Sequence, residues 1–73
     1  MYRGFSVMVL STELKPTGLP PARQFEGWFS VVSEGIGAVA WHASDHVVFD
    51  TRVHASMNAR RAARRSIDTY LLS

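Results

Sequence analysis

Four closely spaced arginines are the residues whose type and spacing most clearly suggest chemistry. Side chains three and four residues apart share one side of a helix. Guanidinium groups stay charged at physiological pH and match phosphate or carboxylate oxygens with two parallel hydrogen bonds. The candidate anion or nucleic-acid surface is Arg60, Arg61, Arg64 and Arg65. A solvated helix face, with its charge partly offset by Asp68, is the favoured interpretation over nucleic-acid binding.

Histidines and carboxylates between positions 42 and 54 are the next candidates, because imidazole and carboxylate groups can bind zinc or nickel. His42 and His46 flank a predicted turn, whereas His54 falls in the first turn of a predicted helix. Their spacing therefore does not bring them together, and we expect exposed or capping histidines without a bound metal. The residues considered are His42, Asp45, His46, Asp50 and His54.

No catalytic centre or cofactor site is predicted. A nucleophile needs a positioned base, and the sequence pattern pairs no hydroxyl with a histidine and a carboxylate. Gly35 and Gly37 belong to a predicted hairpin turn and do not begin a phosphate-binding helix. We therefore expect a non-catalytic protein without a cofactor. The sequence does not identify its particular function.

Length and composition predict one small domain over residues 1–73. The chain is 47% hydrophobic and 19% charged, has a net charge of +2 and contains no cysteine. A domain of this size buries only about 60% of the surface of its unfolded chain, so oligomerisation is the expected source of added stability. The N-terminus has no long apolar segment, and we expect a cytoplasmic protein that does not bind membranes.

Apolar residues at every second position predict three strands, over about residues 2–10, 25–33 and 38–42. Residues 11–24 contain all three prolines and are interpreted as a long, mobile loop. A tolerated insertion is favoured for this loop over a segment that docks on a partner. Residues 34–37 predict a hairpin turn with two glycines, and Val47–Phe49 is too short to be assigned as a fourth strand.

One amphipathic helix is predicted over about residues 51–72, with Asp50 or Thr51 as its N-cap. Alanines on its apolar side would let it lie close to a sheet, while three larger side chains would anchor it. The apolar side comprises Ala55, Ala59, Ala62, Ala63, Ile67, Tyr70 and Leu71. The predicted fold class is α+β, a three-stranded antiparallel sheet with one C-terminal helix packed on one face (β-β-β-α).

Apolar residues occur on both faces of the predicted sheet, whereas one helix covers only one face. If the helix covers Phe5, Phe29 and Val31, the opposite face exposes an apolar patch. The reverse assignment stays open. We expect a homodimer that forms through sheet faces or strand edges, and the alternative is that the long loop covers the patch. The predicted interaction face is Met8, Leu10, Trp28, Val32 and Trp41, although tryptophan in a small domain more often serves packing.

Two short segments carry a resemblance to small bacterial proteins. Tyr2-Arg3-Gly4-Phe5 opens the chain, and Phe49-Asp50-Thr51-Arg52 leads into an alanine- and arginine-rich helix. In this order of elements the chain resembles small uncharacterised bacterial β-β-β-α proteins and the partner domains of HicB-type antitoxins. HicB-type antitoxins usually add a DNA-binding segment after this domain, whereas this chain stops at Ser73, so we do not expect a repressor. The resemblance implies a binding or regulatory module that acts on another protein.

Overall fold

A long antiparallel hairpin forms the centre of the fold in the computed structural model. Strand β1 (Phe5–Leu14) pairs with strand β2 (Gln24–Ser33) along the full length of both strands. Phe5 lies opposite Ser33, and Leu14 lies opposite Gln24. The structure describes residues 1–15, 23–33, 35 and 37–72.

The second edge of β2 is occupied by two short strands that follow each other along the chain. Strand β3 (Ala40–Ala43) pairs with Phe29–Val32, and strand β4 (Val48–Phe49) pairs with Phe25 and Glu26. Both are antiparallel to β2, so β4 continues the edge that β3 begins. The segment too short to be assigned from the sequence is therefore a strand, and the sheet is three strands wide.

Helix α1 (Arg52–Leu72) packs across one face of this sheet. Its N-cap is Thr51, whose hydroxyl oxygen accepts a hydrogen bond from the backbone N–H of His54 at 3.2 Å. This satisfies one of the free amides of the first helical turn. The predicted α+β architecture and the predicted cap are thus confirmed. Along the part of the chain that the structure describes, no helix is both long and apolar enough to cross a membrane.

The first strand starts and ends later than predicted. Residues 2–5 form a tight turn in which Tyr2 and Phe5 exchange two backbone hydrogen bonds, and Arg3 and Gly4 have φ values of 50° and 84°. Positive φ at both central residues is what a type I′ turn requires. At the other end, Ser11–Leu14 pairs with β2 and is not loop, because the first proline comes only at position 16. The middle of the predicted loop, residues 16–22, lies outside the described residues.

The β2–β3 connection differs from the predicted turn in its register. Gly35 and Gly37 both have positive φ, a conformation that glycine adopts without steric cost. Positions 34 and 36 of the predicted turn lie outside the described residues. A turn confined to residues 34–37 would place Trp41 opposite Ser30, but Trp41 lies opposite Val31. Because side chains alternate between sheet faces, this shift of one residue moves Trp41 to the other face.

The core between helix and sheet is narrow. Val31 and Ile67 are the largest side chains that are fully buried. Tyr70 contacts the rings of Phe5 and Trp41 but is half exposed, and Leu71 is also exposed, so these two are weaker anchors than predicted. The central core comprises Phe5, Phe29, Val31, Ala62, Ala63 and Ile67.

Gly27 lets α1 lie directly on β2. A Cβ atom added at Gly27 would overlap the carbonyl oxygen of Ala55 and would come within 2.8 Å of the Cβ of Ala59. Helix backbone and strand backbone therefore meet here with no side chain between them. Alanine at both helix positions makes the same close approach compatible with the helix.

The close contact at Gly27 predicts that Gly27→Ala destabilises the protein by about 1–3 kcal/mol, because the added methyl group must displace helix backbone. Urea unfolding at a fixed protein concentration measures the change. Thr69→Ala, at an exposed site of α1, is the control and should not lower the stability by more than about 0.5 kcal/mol. Equal stability of Gly27→Ala and wild type would show that the helix does not lie this close to β2.

Candidate functional site

The sheet face opposite α1 exposes a group of large apolar side chains. Met8 is 74% exposed, Leu10 62% and Val32 44%. The strand register sets Leu10 beside Trp28, which is half-buried on the same face. We call Met8, Leu10, Trp28 and Val32 the open sheet face. Four of the five residues of the predicted interaction face thus lie together.

Trp41, the fifth predicted residue, does not belong to the open sheet face. Its ring packs against the core, 5.8 Å from the ring of Phe5. Its indole N–H donates a hydrogen bond of 3.1 Å to the hydroxyl oxygen of Ser66, on α1. The prediction for Trp41 was therefore wrong, and this tryptophan joins the third strand to the helix.

Trp28 is held between two histidines. The ring of His42 stacks on it at 5.1 Å, with 13° between the ring planes, and His46 approaches edge-on at 5.9 Å. Ser30 bonds to Nδ1 of His42 at 2.9 Å, and Glu26 bonds to Nδ1 of His46 at 3.2 Å. Each histidine therefore has a polar partner that fixes its ring, and the tryptophan is fixed with them. Beside Trp28, a groove of about 250 Å³ is lined partly by Met8, Leu10 and His42.

The pairing of Ser30 with His42 has the distance of a nucleophile and its base. A catalytic triad also needs a carboxylate that orients the histidine. The carboxylate that the structure places on this face, Glu26, binds His46 instead. Among the described residues, the Ser30–His42 pair thus has no carboxylate that orients the histidine.

The residues considered as metal ligands lie in separate environments. His42 and His46 contact Trp28, whereas His54 lies 3.9 Å from Asp50 at the start of α1. Asp45 binds the side-chain amide of Asn58 at 2.6 Å. Within the described ranges, no three histidine, cysteine or acidic side chains are grouped in a way that could hold a metal ion.

All four predicted arginines are exposed on α1, but they do not form one uniform stripe. A shallow depression of about 420 Å³ is lined by Asn58, Arg61, Arg64 and Arg65. Arg60 lines neighbouring hollows instead, one with Val53 and Met57 and one with Tyr2 and Arg64. Three of the four arginines thus share one concave surface.

Asp68, which was expected to offset the charge of the helix arginines, binds residues of the N-terminal turn instead. Its carboxylate accepts hydrogen bonds from Arg3 at 2.8 Å and from the Tyr2 hydroxyl at 2.9 and 3.1 Å. These bonds lower the pKa of Asp68 below its usual value, and the bond from Arg3 has the larger effect. The tight turn at residues 2–5 is thereby attached to the last turns of α1. Arg64 lies over the ring of Tyr2 at 5.4 Å, next to this attachment.

Sequence reasoning missed the polar pairs of the open sheet face and the partners of the arginines. Ser30 and His42 face each other only because of the β2–β3 register. The correct register would have revealed this pair and the position of Trp41 together. The pairing of Tyr2 with Asp68 joins residues 66 positions apart and leaves no local pattern in the sequence.

Comparison of the chain with protein-family models, with curated proteins and with solved structures finds no match. The resemblance to HicB-type domains therefore stays a prediction. The features that bear on function are the open sheet face and the arginine-lined depression on α1.

The bonds to Asp68 predict a pH-dependent contribution to stability. Since they lower the pKa of Asp68 in the folded state, this contribution is present above the ordinary value of 3.8 and is lost as pH falls through the lower folded-state value. Asp68→Asn should therefore be less stable than wild type at neutral pH, and the difference should shrink in acid.

Urea midpoints measured from neutral pH to below about pH 4 would follow this convergence. Asp50→Asn is a matched control, because Asp50 is highly exposed and its carboxylate lies 3.9 Å from Nδ1 of His54. A stability difference for Asp68→Asn that stayed constant over the whole pH range would contradict the proposed contribution of the ionised carboxylate.

Proposed function

We propose that this protein is a non-catalytic binding module that forms a homodimer through its open sheet face and acts through protein–protein interaction. The observation that supports the proposal is the exposure of Met8, Leu10 and Val32, with the half-buried Trp28 beside Leu10, on the face that α1 leaves uncovered. Contiguous exposed apolar side chains of this size are typical of interaction surfaces. Large aromatic residues at the centre of such a surface often contribute most of the binding energy.

The charge of the open sheet face suits a second copy. A two-fold axis brings a surface against itself, so charges near its centre would meet their own copies. On the strand positions of this face, the formal charge is that of Glu26, which pairs with His46. The central side chains are neutral, and self-association brings no like charges together there.

The shape of the face supplies both protrusions and a recess. Met8 and Leu10 project from β1, and the groove beside Trp28 lies next to them. In face-to-face packing, sheets lie about 10 Å apart and their side chains interdigitate. A two-fold partner would place its own apolar side chains in this groove while its groove receives those of the first protomer.

The proposed dimer predicts that Leu10→Lys converts the protein to a monomer, because each copy would bring a positive charge to the centre of the interface. Sedimentation equilibrium at micromolar concentration should give twice the chain mass for wild type and the single chain mass for Leu10→Lys. Leu10 is exposed in the protomer, so circular dichroism should show an unchanged fold.

Val53→Lys is the matched control, since Val53 on α1 is as exposed as Leu10 but lies away from the open sheet face. It should remain dimeric. A monomeric wild type would overturn the proposed dimer and favour coverage of the face by another part of the chain. A wild-type dimer that Leu10→Lys leaves intact would place the interface elsewhere, such as at the free edge of β1.

A further inference from the structure

Positive charge is concentrated on α1. The helix carries five arginines and one aspartate, although the net charge of the whole chain is only +2. The aspartate, Asp68, is bound by Arg3 and Tyr2 from the N-terminal turn. The outer face of the helix is therefore much more cationic than the net charge suggests.

Two of the three arginines in the depression are positioned by neighbouring groups. The guanidinium of Arg64 lies over the ring of Tyr2 at 5.4 Å, and that of Arg65 lies 3.9 Å from the carboxylate of Asp45. The same carboxylate accepts a hydrogen bond from the amide of Asn58 at 2.6 Å. Such contacts restrict long side chains before a ligand arrives and so lower the entropic cost of binding.

We infer that Arg61, Arg64, Arg65 and Asn58 form a binding site for the phosphate groups of a nucleic-acid backbone. Guanidinium groups bind phosphate oxygens in a two-pronged geometry, and an amide N–H can donate a further hydrogen bond to the backbone. Because the depression is open and lies along a helix, a polymer can pass across it. Arg60, one position before Arg61, extends the positive charge along the same helix.

The described surfaces favour backbone recognition over two other modes of binding. Trp28, which could stack on bases, lies on the opposite side of the sheet, so the arginine site lacks an aromatic platform from the open sheet face. The residues that line the depression are all polar, and the exposed side chains of Val53 and Met57 lie outside it, beside Arg60. A helix that binds membranes inserts apolar side chains between its cations. We therefore expect salt-dependent binding that is insensitive to base sequence.

This site is independent of the proposed dimer. The arginines lie on α1, and the dimer would form through the sheet face that α1 does not cover. Both functions can thus coexist, and variants at one surface should leave the other unchanged.

A matched pair of double variants tests the inference. Arg61→Gln/Arg65→Gln removes two guanidinium groups from the site. Arg23→Gln/Arg52→Gln removes the same charge from arginines that interact with Glu13 and Phe25. Fluorescence anisotropy with duplex DNA and duplex RNA of unrelated sequences, over a range of salt concentrations, gives the affinity and its salt dependence for each protein.

Wild type should bind both duplexes at low salt. The plot of log affinity against log salt concentration should become less steep for Arg61→Gln/Arg65→Gln, by about two in the magnitude of its slope. The reason is that about 0.9 counterions are released per phosphate contact, and two contacts are lost. The control double variant should keep most of the wild-type slope. As single variants, Arg60→Gln should weaken binding less than Arg61→Gln, because Arg60 does not line the depression.

Three results would overturn the inference. One is that wild type fails to bind either duplex at low salt. Another is that the two double variants lose affinity equally, which would indicate a general effect of net charge. The third is binding to vesicles of anionic lipid, but not to duplexes, that is lost in Arg61→Gln/Arg65→Gln. Sedimentation of the same variants should show the wild-type oligomeric state, which separates failure of this site from failure of the proposed dimer.

Discussion

The direct contact of α1 with β2 at Gly27 is the constraint on which the rest of the structure depends. The carbonyl of Ala55 and the methyl group of Ala59 occupy the space where any other residue at position 27 would place its side chain. A helix seated this closely must present alanines to the sheet, and alanines bury little apolar area each. The core that results is small, and its largest fully buried side chains are Val31 and Ile67.

The large apolar side chains on the sheet face opposite α1 have no place inside the protomer. Met8 and Leu10 alternate with partly buried residues along β1, and Val32 follows the buried Val31 on β2. The two-residue period of a strand therefore places all three on the uncovered face. Their exposure follows from a fold with one helix and one sheet, and the protomer cannot remove it by repacking. For this reason the open sheet face and the close helix contact are two consequences of the same architecture.

Much of the fold could be predicted because its signals are local. Thr51 caps the helix by a hydrogen bond with His54, only three positions away. The spacing of the alanines identifies the side of α1 that faces the sheet. The end of β1 was misplaced because proline-free residues before position 16 were grouped with the prolines that follow them. Trp41 was misplaced because the hairpin register depends on the whole turn, and an error of one residue reverses the face of every side chain in the strand.

In both the arginine site and the open sheet face, some features could be predicted from the sequence and others could not. The spacing of the arginines along α1 could be predicted from the helix period, and their exposure follows from it. Their grouping could not, because Tyr2 and Asp45, which position Arg64 and Arg65, come from distant parts of the chain. On the sheet, alternation predicted the apolar face, whereas the histidines around Trp28 depend on the path of the chain between β3 and β4.

The positions of these surfaces determine how the two proposals combine. A dimer formed through the open sheet faces has four layers, with the sheets inside and the helices outside. Sheet spacing of about 10 Å and helix diameters of about 10 Å place the two helix axes roughly 30 Å apart. The arginine sites would then face in opposite directions, and one straight duplex could not reach both. Such a dimer would link two segments of nucleic acid, and occupancy of one site would leave the other free.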